Sequence, residues 1–470
     1  MVCSPTLARD TDRRTPIPYH AILFQKTKGL CGFFVTSRNV ISPNILAFTS
    51  LATTEAVVLS RMTPPDDYAY EVVACAYHNL LKVQHVCKTF FTFLPSIPTM
   101  SSKNIVIVGG GTAGLNVFNG LTAKLATSTT TSIILVTPRP HYTSLPATIR
   151  MVVTAEGELE KHALMSFPES FNEGNKKVVL AKVVSIEDDE TKGRFVTLDN
   201  GEKIEFSVLV LAPGSKWEGP LDFPESVDGQ LQWTKDWREK FAKAKSVALV
   251  GGGAIGIELS GELKDQWPNK PVTIVQGDAL LLNKTYPDRF RKDIERRVVK
   301  RGVKVIKDDF VDDVEPKEGK ITTRKGVAVE ADLVIPTRGP RPNTKFIESL
   351  GSDTLTDSGF VKVKPTLQLA NHPRIFAAGD VIDYAEQKQA AKAPNHAAII
   401  VNNALSLIGE NPKGLINYKG STELIVITNG KNGGAGYFDI LWGISIGDWL
   451  SSLLKSKTLM IEMSKNSLKL

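Results

Sequence analysis

Beyond Met100 the chain has no cysteine; its four lie at Cys3, Cys31, Cys75 and Cys87. This removes a C-x2-C or C-x4-C redox pair from the main body. It also removes the thiolates that an iron–sulfur centre or a structural zinc would need there. The seven histidines are scattered without an H-E-x-x-H or similar spacing, so no metal site is expected. No apolar run is long enough for a membrane-crossing helix. Neither Met1-Val2 nor Met100-Ser101 supplies the glycine that N-myristoylation requires. Acidic residues are missing between Asp12 and Glu55, where Lys26, Lys28 and Arg38 stand, as in a targeting segment. Against that, Asp10 and Asp12 sit among the early arginines and the amphipathic pattern is poor. Residues 1–99 are therefore expected to be a poorly ordered extension, or no part of the functional protein. A mitochondrial presequence is the alternative.

The chain of 470 residues has room for two or three domains with a large buried core. With 42% hydrophobic and 23% charged residues, it has an ordinary globular composition. The net charge of +7 is spread out, which suits contact with anionic surfaces or nucleotides and does not by itself argue for nucleic acid.

The strongest signal occurs twice. Ile105-Val106-Ile107-Val108 runs into Gly109-Gly110-Gly111-Thr112-Ala113-Gly114, and Val247-Ala248-Leu249-Val250 runs into Gly251-Gly252-Gly253-Ala254-Ile255-Gly256. Each is an apolar strand, a G-x-G-x-x-G turn and a helical stretch, the pattern that seats a dinucleotide pyrophosphate on a helix N-terminus. Gly109 and Gly251 make the turn, Gly111 and Gly253 admit the phosphates, and Gly114 and Gly256 let helix and strand pack closely. Two such turns suggest two dinucleotides exchanging electrons.

The acidic residue that commonly binds the adenosine ribose is missing from both units. The second strands end at Thr137-Pro138-Arg139 and at Gln276-Gly277-Asp278, and Asp278 leans only slightly towards NADH over NADPH. Further on, the pattern from Val178 to Leu198 alternates like antiparallel strands. Two buried strands end in tight turns, Ala212-Pro213-Gly214 and Thr337-Arg338-Gly339. Phe376-Ala377-Ala378-Gly379-Asp380 follows, and Ala390 to Leu407 reads as a helix with Pro394 in its first turn.

In this order the motifs resemble the two-dinucleotide flavoprotein oxidoreductases, and within them the apoptosis-inducing-factor-like branch that holds ferroptosis suppressor protein and its fungal relatives. The likeness spans about residues 103–470. It implies an α/β fold of two Rossmann-like domains, binding FAD and NAD(P)H, plus a small α+β C-terminal domain. The implied boundaries are 100–225 and 341–412 for the FAD domain, 226–340 for the NAD(P)H domain and 413–470 for the C-terminal domain. The resemblance puts FAD at Gly109, Gly111 and Gly114, with Ala212, Gly214, Gly379, Asp380 and Arg150 around it. NAD(P)H falls at Gly251, Gly253, Gly256 and Gly339. Glu258 would orient the nicotinamide, and Lys388, or its neighbour Lys392, would stabilise reduced flavin or an acceptor oxygen.

The activity implied is hydride transfer from NAD(P)H to flavin and then electron transfer to a quinone. Without a cysteine pair the acceptor must reach the flavin directly. The alternatives are a reductase of a small electron-transfer protein and a redox-sensing cell-death effector. Phe438 to Ile444, Trp449, Leu450, Leu453 and Leu454, followed by Lys455, Lys457, Lys465 and Lys469, suit a peripheral membrane contact. The expected location is cytoplasmic, at membranes or lipid droplets, with mitochondria as the alternative. NADH versus NADPH and the oligomeric state stay open.

Overall fold

The computed structural model describes residues 103–468. Of the separate N-terminal unit, Met1–Thr99, it gives two antiparallel strand pairs, Tyr19–Thr27 with Leu30–Ser37 and Phe48–Ser50 with Val57–Leu59. The expectation of a poorly ordered extension otherwise lies outside the described residues.

Each apolar run ahead of a glycine turn becomes an inner strand of a parallel sheet. In β1 (Lys103–Val108), Ile105, Val106 and Ile107 are fully buried on both faces, as in a sheet covered by helices on each side. Helix α1 (Thr112–Lys124) carries the chain back to β2 (Thr131–Thr137), parallel to β1. After α2 (Leu145–Met151), β3 (Lys176–Leu180) joins β2, and β4 (Val208–Leu211) joins the other side of β1. Between β3 and β4 in sequence stands an antiparallel sheet of Val183–Asp189, Gly193–Leu198 and Lys203–Glu205. The alternation from Val178 had suggested that the antiparallel part begins earlier. A half-buried edge strand alternates in the same way whichever partner it takes, so periodicity cannot tell the two apart.

Helix α3 (Val227–Lys243), capped by Ser226 Oγ accepting from Gly229 N at 3.1 Å, crosses to the second unit. There β5 (Val247–Val250), α4 (Ala254–Gln266), β6 (Val272–Val275), α5 (Asp288–Lys300), β7 (Val303–Ile306) and β8 (Leu333–Pro336) form a parallel sheet of order β7-β6-β5-β8. The chain then returns to the first sheet. Strand β9 (Ile375–Ala377) pairs with β4, giving the order β9-β4-β1-β2-β3, and α6 (Ala393–Leu407) follows. The C-terminal part is an antiparallel meander of β10 (Leu424–Thr428), β11 (Gly434–Phe438) and β12 (Ile444–Ile446). It ends in a short helical turn, a π-helical turn Ser452–Ser456 and α7 (Ile461–Leu468). In both parallel sheets the strand order reverses beside the glycine turn. That opens a crevice at the strands' carboxyl ends, where ligands bind in open α/β sheets.

A buried ion pair fastens the units together. Arg150 of α2 makes a two-pronged contact with Glu262 of α4, Nε–Oε2 2.8 Å and Nη2–Oε1 2.9 Å. Burial pushes the Glu262 carboxyl above its usual range, outweighing the Arg150 charge. Arg150→Ala is expected to cost about 3–5 kcal/mol by stranding that carboxylate, read by urea unfolding. A carboxyl with a raised native pKa stabilises most below the ordinary value of 4.5 and loses that contribution as pH rises through the native pKa. Glu262→Gln should therefore lose less stability than the wild type on going from pH 4.5 to neutrality, and parallel curves for the two proteins would contradict this.

Candidate functional site

The two glycine turns are built alike. A side chain on Gly109 would run into the Ala212 carbonyl at the end of β4; one on Gly251 would run into the Thr337 carbonyl at the end of β8. Both glycines also have positive φ, 113° and 126°. Side chains on Gly114 and Gly256 would strike the carbonyls of Gly109 and Gly251. Gly111 and Gly253, by contrast, face open space. The helices that start there have no side-chain cap and no acidic residue in the first turn. Each turn thus offers uncapped N–H groups and a positive helix end behind an opening without side chains, which fits a pyrophosphate.

The first cradle gathers distant segments. Gly379 has φ 76° and packs against Ala113 in the first turn of α1, where an added Cβ would come within 2.9 Å of the Ala113 Cβ. Its neighbour Asp380 accepts from Ser215 Oγ at 2.7 Å, directly after Gly214. So Gly109, Ala212, Gly214, Gly379 and Asp380 meet at one place, with the N-terminus of α6 beside them. The Gly379 N–H donates to His396 Nδ1 of α6 at 3.1 Å. Ser215 and His396 were not singled out by sequence reasoning, because neither lies in a motif.

The second cradle is braced by Thr337 Oγ1, which donates to the Gly251 carbonyl at 2.7 Å, and by Gln276 Oε1, which accepts from Gly252 N at 2.8 Å. Gln276 thus occupies, at the end of β6, the place where an acid is common, and turns its side chain into the turn. Beside this cradle lies a narrow, open cleft between the two units. Ile149 and Val152 line one side, Ile255 and Leu259 the other, with Thr337 and Gly339 at the cradle end.

Glu258 lies on α4, buried, and its Oε1 accepts from Thr428 N at 2.9 Å and from Lys455 Nζ at 2.6 Å. The sequence grouped Lys455 with the basic tail at a membrane face; the π-helical turn instead swings it inward, leaving Leu453 and Leu454 exposed on the outside. Arg150 spends its guanidinium on Glu262 rather than on the first cradle. The Lys388 ammonium donates to the carbonyls of Ile382 at 2.7 Å and Tyr384 at 3.1 Å, bracing the loop after Asp380. Burial pushes its pKa below that of an ordinary lysine. Lys392 is buried against Glu423 and Glu386.

Residues 103–397 match the model of the pyridine nucleotide-disulphide oxidoreductases. Among curated relatives, the chain is 47% identical over 315 residues to an FAD-dependent oxidoreductase, FVFD30, of Flammulina velutipes, covering 67% of this chain and 98% of that one. It is 27% identical to ferroptosis suppressor protein 1 of Taeniopygia guttata, covering 77% and 95%. To the apoptosis-inducing factor homolog B of Dictyostelium discoideum it is 28% identical, covering 77% and 96%. The family uses FAD and NAD(P)H, both dinucleotides, and the two open cradles fit both.

The cradles separate folding from binding. Gly111→Ala and Gly253→Ala face open space, so melting temperatures should stay within a few degrees while one dinucleotide is lost in each case. Gly109→Ala and Gly114→Ala meet backbone and should fail to fold stably. Equal thermal losses in all four variants would refute the distinction.

Proposed function

The chain belongs to the pyridine nucleotide-disulphide oxidoreductase family, on its apoptosis-inducing-factor-like side, and from that premise we propose that it is an NAD(P)H:quinone oxidoreductase. The observation that carries this reading is a pair of open dinucleotide cradles in a body without a single cysteine. When bound, FAD supplies a centre that takes hydride from NAD(P)H and passes electrons on, chemistry no side chain offers. With no dithiol to relay them, the acceptor has to meet the flavin itself, and a small planar quinone fits that requirement.

In this reading the Gly109 cradle binds FAD and the Gly251 cradle binds NAD(P)H. Asp380, held by Ser215, would accept from the ribityl hydroxyls, and the positive end at the start of α6 would stabilise negative charge on the flavin. Glu258 has Oε1 taken by Lys455 and Thr428, while no described residue donates to its Oε2. That oxygen would accept from the nicotinamide carboxamide, and Lys455 keeps the carboxylate aimed. Lys388 and Arg150 act by bracing, Lys388 on the loop after Asp380 and Arg150 between the two units.

The quinone part of the proposal gains support from the C-terminal face. Trp442 is 97% and Trp449 76% exposed, with Leu441, Leu453 and Leu454 also in solvent. Arg289 holds the Trp442 and Gly443 carbonyls, and Arg297 pairs with Asp448. Both arginines lie on α5, eight residues and about 12 Å of helix apart, so both tryptophan segments are tied to that one helix. An apolar, tryptophan-bearing face suits a peripheral seat on a membrane or lipid droplet, where lipophilic quinones reside. The cytoplasmic face of such surfaces is the proposed location.

Anaerobic titration with NADH should bleach the flavin absorbance, and a quinone should restore it. Restoration by a ferredoxin-type carrier but not by quinone would move the assignment to a protein-acceptor reductase. No bleaching with flavin fully bound would remove both enzyme readings. Glu258→Ala should raise the KM for NADH about tenfold or more, through loss of a bond to a charged acceptor. Trp442→Ser with Trp449→Ser should abolish flotation with anionic lipid vesicles and leave turnover of a short-chain, water-soluble quinone intact. Flotation equal to wild type would refute the membrane seat.

A further inference from the structure

We propose that His396, outside every motif, is the positioning residue that holds the Gly379-Asp380 turn in its flavin-binding orientation. The inference rests on the assignment of FAD to the Gly109 cradle. A backbone N–H can only donate, so the Gly379 bond requires His396 Nδ1 to be unprotonated. The ring proton is then on Nε2, 2.8 Å from Glu386 Oε1, to which it donates. Glu386 Oε2 in turn accepts from Tyr418 OH at 2.7 Å. The Tyr418 ring stands edge-on to the imidazole, with centroids 4.7 Å apart.

This run is enclosed. His396 and Glu386 are almost wholly buried, and Lys392 lies 3.7 Å from Glu386 and supplies the compensating charge. Burial opposes the Glu386 charge, yet the bonds from His396 and Tyr418, with the Lys392 ammonium nearby, keep its carboxyl below the usual range. Glu386 therefore stays an acceptor and fixes the imidazole in the one tautomer that can receive the Gly379 N–H.

The need for such a lock lies in glycine itself. Gly379 is a glycine because Ala113 leaves no room for a side chain and because φ is 76°. The same lack of a side chain lets the Ala378–Gly379 peptide rotate at little cost. The half-buried Gly379 N–H finds its partner in His396 Nδ1, and that bond selects a single rotation. That rotation sets where Asp380 carries its carboxylate.

The test compares full-length His396→Asn, whose amide keeps an acceptor near the Nδ1 position, with His396→Gln, whose longer side chain carries its amide to the Nε2 position beside Glu386, and with His396→Leu. FAD dissociation constants come from fluorescence titration of apo-protein, with apo-protein melting temperatures measured alongside. We expect the Gln and Leu variants to bind FAD about tenfold more weakly, the effect of one lost hydrogen bond. The Asn variant should stay near wild type, and the Gln and Asn apo-proteins should melt alike. The role of His396 is overturned if Asn and Gln bind FAD equally, if Leu binds as wild type does, or if the apo-protein stabilities of Asn and Gln differ as much as their affinities. Failure of the wild type to take up FAD would instead overturn the flavin-site assignment on which the inference stands.

Discussion

Two close approaches of main chain to main chain govern this molecule. Gly109 lies against the carbonyl of Ala212 and Gly251 against that of Thr337, and in each turn the third glycine lies against the carbonyl of the first. A side chain at any of these places would push strand from strand or helix from strand. Because none is there, each helix starts directly at the crevice with its N–H groups uncapped. The middle glycines are under a different constraint, since they touch nothing and the space in front of them belongs to the ligand. One short motif thus combines a packing requirement with a binding requirement, and the two can be separated by substitution.

Helix α4 carries the second cradle at its start and ties the molecule together along its length. Glu258 reaches Lys455 and Thr428 of the C-terminal part, Glu262 reaches Arg150 of the first unit, and Asp265 reaches Arg301 and Lys431 N. Positions 258, 262 and 265 fall on one helix face at spacings of four and three, so three connections share one side of one helix. The proximity of Glu258 and Asp265 adds to the upward push on the Glu262 carboxyl. Removing Lys455 or Arg150 would leave unbalanced negative charge in a buried place at Glu258 or Glu262, which is why these two pairs constrain how the units sit around the cleft.

The parts of the site that were legible in the sequence are those for which local chain chemistry leaves one solution. A glycine at a forced turn is such a case, as is a continuous apolar run in a strand covered on both faces. Glu258, Lys388, Arg150 and Lys455 were legible as candidates but not as contacts. Their long side chains reach several neighbours, and the choice depends on which element packs opposite. Arg150 meets Glu262, 112 positions later, and Lys455 meets Glu258 across 197. Ser215 and His396 left no signal, because a lone serine or histidine carries no pattern, and Gln276 was legible only as the residue standing where an acid is common.

By itself the sequence determined the two strand–turn–helix units, the absence of thiol chemistry from the main body and the family to which these belong. Glycine placement and hydrophobic runs act within a few residues, so they need no knowledge of the rest of the chain. Tertiary structure decided which groups complete each cradle, bringing Asp380 and His396 to the first turn and Gln276 and Thr337 to the second. It also decided which charges turn inward and which apolar residues stay in solvent. Those outcomes depend on burial and on partners far away in sequence, and a side chain's partner is settled only when the elements that carry both have packed.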